Sequence, residues 1–282
     1  MGAERWRFDA GSDVGGKLFA MKKATKAQVR QVREFLRKKS ARDDSGVFIA
    51  EGVKIVRETL TRDIKVRTVL ISSRSIGAPS SRELADLSSG GRADVYRVPA
   101  PEFEKLSSLK NSQGVLAVVE KPCSPDMPAA MDGVSLAVLC DGVQDPGNMG
   151  AIIRSCVAFG ADLVLLYGDS ADAYNPKVVR ASSGTVMDIP LARCDMSSLK
   201  EVKRAGGRFY ASVCDGDGAV PLGKLEKLSG PVVAVFGSEG AGISEDLLDM
   251  ADIRFTIPVD KRAQSLNVTA ATAVSLYELS RI

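Results

Sequence analysis

Apolar positions along this chain gather into short continuous runs, separated by stretches where they recur at helical spacing, and the second half repeats that alternation regularly. The runs Leu136 to Cys140, Leu163 to Tyr167, Phe209 to Val213, Val232 to Phe236 and Phe255 to Val259 predict strands. Between them the pattern predicts helices from about Met149 to Phe159, around Pro176 to Ser182, from Ser197 to Ala205 and near Glu245 to Met250, with a final helix from Leu266 onward. Strands alternating with helices specify an α/β domain whose parallel sheet is covered on both faces. In such sheets ligands bind outside the carboxyl ends of the strands, so the residues just past each apolar run are the first candidates for chemistry.

The first half predicts a smaller α/β module. Gly46 to Ala50 reads as a short strand turning into a helix at Glu51-Gly52, Val66 to Ile71 and Val115 to Val119 read as strands, and helices are expected around Ser81 to Leu87 and Pro101 to Leu109. Ahead of these, Val29, Val32, Phe35 and Leu36 recur at helical spacing, which turns one face inward. The stretch from Glu120 to Gly133 carries Pro122, Pro125 and Pro128, and proline removes amide donors and fixes the backbone, which suits a linker. The division is therefore a Gly- and charge-rich tail over residues 1–20, expected to be poorly ordered, one domain over 21–120, a linker over 121–132 and a second domain over 133–282. Met21 is an alternative start.

Composition narrows the classes. The chain has 282 residues, 45% apolar and 26% charged, which is ordinary for a folded protein of one large or two medium domains. No run approaches the roughly 18 to 20 apolar residues of a membrane span, and no secretory signal opens the chain, so a cytoplasmic location is expected. Histidine is absent, which excludes Ser-His-Asp and Cys-His catalysis and histidine-ligated metal. The five cysteines, Cys123, Cys140, Cys156, Cys194 and Cys214, form no Cys-x-x-Cys pair, so no metal is expected and no chemistry is assigned to them. Gly11 to Lys17 has the glycine and lysine spacing of a phosphate loop, but Leu18 stands where Ser or Thr is needed and no strand precedes it. Net charge is only +3, yet Lys22, Lys23, Lys26, Arg30, Arg33, Arg37, Lys38, Lys39 and Arg42 fall in one segment with a single acid, Glu34.

Motifs stand past three of the predicted strands. Asp141 to Gly160 contains Asn148-x-Gly150-x-x-x-Arg154, Val232 to Ile243 contains Phe236-Gly237-Ser238-Glu239-Gly240, and Ile257-Pro258 is followed by Ser265-Leu266-Asn267 opening an apolar helix. Together, in this order, they resemble the motifs of the SpoU (TrmH) branch of the SPOUT RNA methyltransferases. The resemblance implies a parallel-sheet SPOUT domain with a deep trefoil knot and a small N-terminal α/β substrate-binding domain related to RNA-binding ribosomal proteins. It implies transfer of a methyl group from S-adenosylmethionine to a ribose 2′-hydroxyl of structured RNA, 23S ribosomal RNA being favoured over transfer RNA. A homodimer packed through the knot region is also implied; Val268 to Leu279 would suit that packing, or could be internal core.

Residue by residue, the resemblance makes Asn148, Arg154, Glu239 and Asn267 the catalytic candidates. Phe236, Gly237, Ser238, Gly240, Ile257, Pro258, Ser265, Leu266 and Asn267 become candidates to hold the cofactor, with the glycines permitting close backbone approach or serving only as turns. Arg154 could act as a base helped by an RNA phosphate or as a fixed cation beside the developing alkoxide; a free guanidinium, with pKa above about 12, is a poor base. Asn148 and Ser265 could instead cap helices. The basic segment becomes a candidate phosphate-tracking surface, joined by Arg180 and Ser182 from a segment similar to one near substrate in the family. Val259 and Lys261 depart from the family's usual Met and Gly, which puts the grip of that loop in question or adds charge toward RNA. Two alternatives remain: a catalytically silent RNA-binding assembly factor, and a nicotinamide oxidoreductase, which lacks the Gly-x-Gly-x-x-Gly fingerprint.

Overall fold

The computed structural model describes residues 21–281 except 108, 110, 125, 128, 215–217, 227–229, 261 and 264. The expected tail over residues 1–20, the Gly11 to Lys17 sequence and Lys261 lie outside the described residues. Two compact units form, one running to Pro122 and including Tyr174–Arg180, the other comprising Cys123–Ala173 and Ala181 onward.

In the first unit, Thr25 starts helix α1 (Lys26–Arg37) with a reciprocal cap: its hydroxyl accepts from the Gln28 amide at 3.2 Å while the Gln28 side chain accepts from the Thr25 amide at 2.8 Å. Val29, Val32 and Phe35 face inward, and each such side chain taken from water contributes roughly 1.5–3 kcal/mol. Lys38 is extended at φ −114°, so the basic stretch is two helices rather than one, with α2 (Lys39–Ser45) closing on left-handed Gly46. Then follow β1 (Val47–Glu51), α3 (Val53–Thr61), β2 (Val66–Ser72), α4 (Pro79–Leu87), β3 (Asp94–Val98), α5 (Ala100–Glu104) and β4 (Val115–Glu120). The sheet order is β1-β4-β2-β3, with β4 antiparallel to β1 and β2, and β3 parallel to β2. Phe35, Ile49, Leu70, Phe103 and Leu116 share its core. The helix expected over Pro101 to Leu109 stops at Glu104. Strand β3, Asp-Val-Tyr-Arg-Val, is too polar to stand out in the sequence, and forms as an edge whose Val95 and Val98 are buried.

The second unit runs β5 (Leu136–Asp141), α6 (Pro146–Ala158), β6 (Leu163–Tyr167), α7 (Pro176–Ala181, clustering mostly with the first unit), β7 (Leu191–Arg193), α8 (Met196–Arg204), β8 (Arg208–Ser212), β9 (Val220–Pro221), β10 (Val232–Gly237), α9 (Glu245–Met250), β11 (Ile253–Thr256) and α10 (Val268–Leu279). Its seven strands lie in the order β7-β6-β5-β10-β8-β11-β9, every pairing parallel. Parallel strands buried on both faces need unbroken apolar sequence, which is why β5, β6 and β10 were legible. Helices α8 and α9 cover the face carrying Leu139, Leu165, Val233 and Val235, while α10 packs on α6 and β10. β11 ends at Thr256, short of the expected Val259, so Ile257 to Val259 are free to line a loop. Among the described residues, no helix is long and apolar enough to cross a membrane.

Candidate active site

The carboxyl ends of β5, β10 and β11 lead into the segments carrying the candidate catalytic residues. After β5, the Asp145 carboxylate accepts from the Asn148 backbone amide at 2.8 Å and caps α6, with Pro146 at the first helical position. Asp145, not Asn148, is therefore the cap, and the Asn148 side chain is left to reach outward. Its Nδ2 donates to Glu239 Oε1 at 3.1 Å.

Glu239 sits on a turn closed by the chain itself. Past β10, the Ser238 and Gly242 backbones exchange hydrogen bonds at 3.1 and 3.0 Å, and the Ser238 hydroxyl accepts from the Ala241 amide at 3.2 Å. A β-carbon on Gly237 would lie 2.1 Å from the Gly242 carbonyl carbon, so no larger residue fits there. That glycine is required by this turn rather than by a ligand. Gly240 differs: a β-carbon there meets nothing within 4 Å, and its backbone is not left-handed. Asp141 Oδ2 accepts from the Ser244 amide at 2.7 Å and fixes where the turn leads into α9.

From the third segment, the Asn267 side-chain oxygen Oδ1 accepts from the Thr269 amide and hydroxyl at 2.8 and 2.6 Å, capping α10. Asn267, not Ser265, is the cap. Its Nδ2 donates to the same Glu239 Oε1 that Asn148 reaches. One carboxylate oxygen thus gathers two amides from distant parts of the chain. Arg154 is not bonded to this trio; from further along α6 its Nη1 donates to Ser183 Oγ at 3.5 Å.

A pocket at the ends of β8 and β11 is lined by Ser212, Val213, Cys214, Thr256, Ile257, Val259, Ser265, Leu266 and Ala271. Ile257, Ser265 and Leu266 are among the cofactor candidates; Phe236, Gly237, Ser238, Gly240, Pro258 and Asn267 do not line it. Phe236 is 1% exposed, its side chain part of the core, so only its backbone could meet a ligand. Sequence reasoning missed Ser212 to Cys214. The signal was available: they close the strand that lies beside β11, and the carboxyl-end rule applies to them equally. Burial pushes the thiols of Cys140 and Cys194 up to about 12 and that of Cys156 well upward, so these three stay protonated near neutral pH.

On the first unit Lys22, Lys23, Lys26, Arg30 and Arg37 are exposed and Arg33 is half-buried. Lys38 pairs with Glu34 and Lys39 with Asp43, both at 2.6 Å. Arg42 leaves the RNA-binding set: it is 2% exposed, and its Nη1 donates inward to the Phe35 carbonyl at 2.7 Å. Ser182 leaves it too, being fully buried. Arg180 is half-buried and paired at 2.9 Å with the buried carboxylate of Glu51, which also accepts from the Ser107 hydroxyl.

Residues 135–277 match the SpoU rRNA methylase family, and residues 26–117 match the MRM3-like substrate binding domain. The chain belongs to the SpoU rRNA methylase family. It is 30% identical over 262 residues to the 23S rRNA (guanosine(2553)-2′-O)-methyltransferase RlmP of Bacillus subtilis, covering 92% of this chain and 99% of that one. It is likewise 30% identical over 262 residues to a 23S rRNA (uridine(2479)-2′-O)-methyltransferase of Streptomyces viridochromogenes, covering 90% of each. The AdoMet-bound rRNA methyltransferase of Sinorhizobium meliloti superposes with a TM-score of 0.76 at 29% identity, over 92% of this chain and 96% of that one.

Proposed function

We propose that this protein transfers a methyl group from S-adenosylmethionine to a ribose 2′-hydroxyl of structured RNA, with 23S ribosomal RNA as the substrate. The observation that carries this reading is the meeting of Asn148, Glu239 and Asn267 at one carboxylate oxygen. The two relatives named above act on a guanosine and a uridine, so what their names share is the ribose oxygen rather than a base.

The residues at the ends of β8, β10 and β11 fit the cofactor by their chemistry. Ile257, Leu266 and Val213 give apolar contact, Ser265 and the Cys214 backbone give polar groups, and Gly240 leaves open space beside Glu239. S-adenosylmethionine, when bound, supplies a methyl group on a positively charged sulfur. The chain's part is to hold the ribose hydroxyl in line and to stabilise the oxygen as it loses its proton, and such positioning alone supplies on the order of 7–11 kcal/mol. Arg154 provides the fixed positive charge for that oxygen. Asn148 and Asn267, locked by Glu239, hold the segments on which the hydroxyl and the donor are presented.

Lys22, Lys23, Lys26, Arg30, Arg33 and Arg37 track RNA phosphates from the substrate-binding domain over residues 21–120, which joins the methyltransferase domain over 133–282 through the linker at 121–132. The same reading carries the family's trefoil knot and a homodimer. Val274 and Tyr277 on α10 are 44% and 53% exposed, a supply of apolar surface for a second copy, which light scattering at micromolar concentration tests. The enzyme works in the cytoplasm, where ribosomal RNA is modified.

The test is transfer of radiolabelled methyl from S-adenosylmethionine to purified ribosomal and transfer RNA, wild type beside Arg154→Ala, followed by mapping of ribose methylation. Label in 23S ribosomal RNA that the variant does not place supports the proposal. Measurable cofactor binding without label in any RNA fraction overturns it.

A further inference from the structure

Past α7 the chain turns through Ser182, Ser183 and Gly184 into a tight turn of 3-10 helix at Thr185–Met187. Among the described residues Ser183 is the only one other than glycine in the left-handed region, at φ 54°, and Gly184 follows at φ 88°. A left-handed residue just past a helix is common, but glycine or asparagine usually occupies it, because a β-carbon is penalised there. The turn itself does not use the Ser183 hydroxyl. It is closed by the Ser182 carbonyl, which accepts from the Thr185 amide at 3.2 Å and the Thr185 hydroxyl at 2.9 Å. What the Ser183 hydroxyl touches is Arg154, accepting from Nη1 at 3.5 Å, the outer limit of a hydrogen bond. Bonds that serve catalysis are often long before substrate arrives and tighten afterwards.

We infer that Ser183 is a positioning residue for Arg154. It occupies a backbone position that suits glycine better, and the hydroxyl it gains there aims the guanidinium. Strain of this kind persists where the surroundings impose it, and functional sites are where it gathers. One Nη1 hydrogen is committed, and the other face of the guanidinium is left for the reacting oxygen. The inference rests on the proposed methyl transfer with Arg154 as its stabilising charge.

The test uses the full chain with Ser183→Gly and Ser183→Asn. Glycine relieves the backbone and removes the acceptor, so stability and activity should part: an equal or higher melting temperature, unchanged S-adenosylmethionine affinity, and kcat lower by roughly 10- to 100-fold. Asparagine tolerates the left-handed backbone and keeps a side-chain oxygen, so it should restore part of kcat. A second readout needs no turnover: the side-chain NMR order parameter of Arg154, assigned with Arg154→Lys, should fall in Ser183→Gly. Wild-type kcat in Ser183→Gly overturns the inference. Failure of the wild type to methylate any RNA overturns the proposed function instead, and the NMR result then decides alone: an Arg154 equally ordered in both proteins overturns the positioning role.

Discussion

Two loops meet at Glu239, and they are built in opposite ways. The loop after β10 closes on itself through Ser238 and Gly242, with Gly237 pressed against the returning backbone. The described residues of the loop after β11, from Pro258 to Asn267, are exposed, and the bonds described among them are confined to Asp260, Arg262 and Ala263. The first loop is a preformed mount for a carboxylate. The second takes its position at one end from Asn267, which grips Glu239 and caps α10 together. An enzyme that must hold a cofactor beside its substrate gains from such a mount: the carboxylate that organises the site sits on a loop closed on itself, and one end of the neighbouring strap is tied to it through Asn267.

The sharpest way to break the comparison is to deform the rigid loop. Gly237→Ala forces a β-carbon into the Gly242 backbone, and we expect a loss of about 3 kcal/mol or more, read as a large drop in urea midpoint. Gly240→Ala, in open space, should change stability by no more than about 0.5 kcal/mol. Equal behaviour of the two variants would mean the turn is not closed as described.

Releasing the second loop from the first is the next largest effect. Glu239→Ala frees Asn148 and Asn267 at once, and methyl transfer should fall by roughly 100-fold through lost positioning. In a double-mutant cycle on kcat, Glu239→Ala and Asn148→Ala should couple by about 1 kcal/mol. Strictly additive losses would separate the two residues and dissolve the shared carboxylate as an organising centre.

Much of this was legible because the chemistry that fixes it is local. The apolar runs of β5, β6 and β10 admit one reading, since a strand buried on both faces has no polar position to spare. Asn148, Glu239 and Asn267 were found through the motifs that resemble those of the SpoU family, each of which stands past a predicted strand. What the sequence hid depends on partners far along the chain. Arg42 reads as one more cation in a basic stripe until Lys38 breaks the helix and turns it toward the Phe35 carbonyl. The cap assignments at Asp145 and Asn267 were hidden by competition between neighbouring polar residues, which sequence spacing does not rank. Strand β3 exists because β2 offers it an edge, a fact its polar residues do not announce.

Chemical modification probes the loop after β11 from the pocket side. Cys214 is exposed and lines the pocket with Ile257 and Leu266, whereas Cys140, Cys156 and Cys194 are held as neutral thiols by burial. An alkylating reagent near pH 8 should therefore label Cys214 and Cys123 and spare the other three. Saturating S-adenosylmethionine should slow labelling of Cys214 roughly tenfold and leave Cys123 as a control, because at ten times Kd about a tenth of the pocket stays open. Equal protection at both sites, or none, would move the cofactor away from the loop after β11.

The smallest effect comes from the only ion pair described within that loop. The Arg262 side chain, and then its amide, hydrogen-bond the Asp260 carboxylate and hold its pKa below the ordinary value. A carboxylate whose folded pKa is depressed adds stability above the unfolded value, near 3.9, and loses it as pH falls through the lower folded value. Between pH 5 and 9 the pair is therefore constant, and S-adenosylmethionine affinity should carry no pH dependence from it. Both groups are exposed, so solvent screens the attraction, and Asp260→Asn should leave the melting temperature unchanged. If Asp260→Asn instead weakened cofactor binding tenfold, as read by calorimetry, this loop would owe its shape to an internal bond. The contrast with the self-closed loop after β10 would then shrink to one of degree.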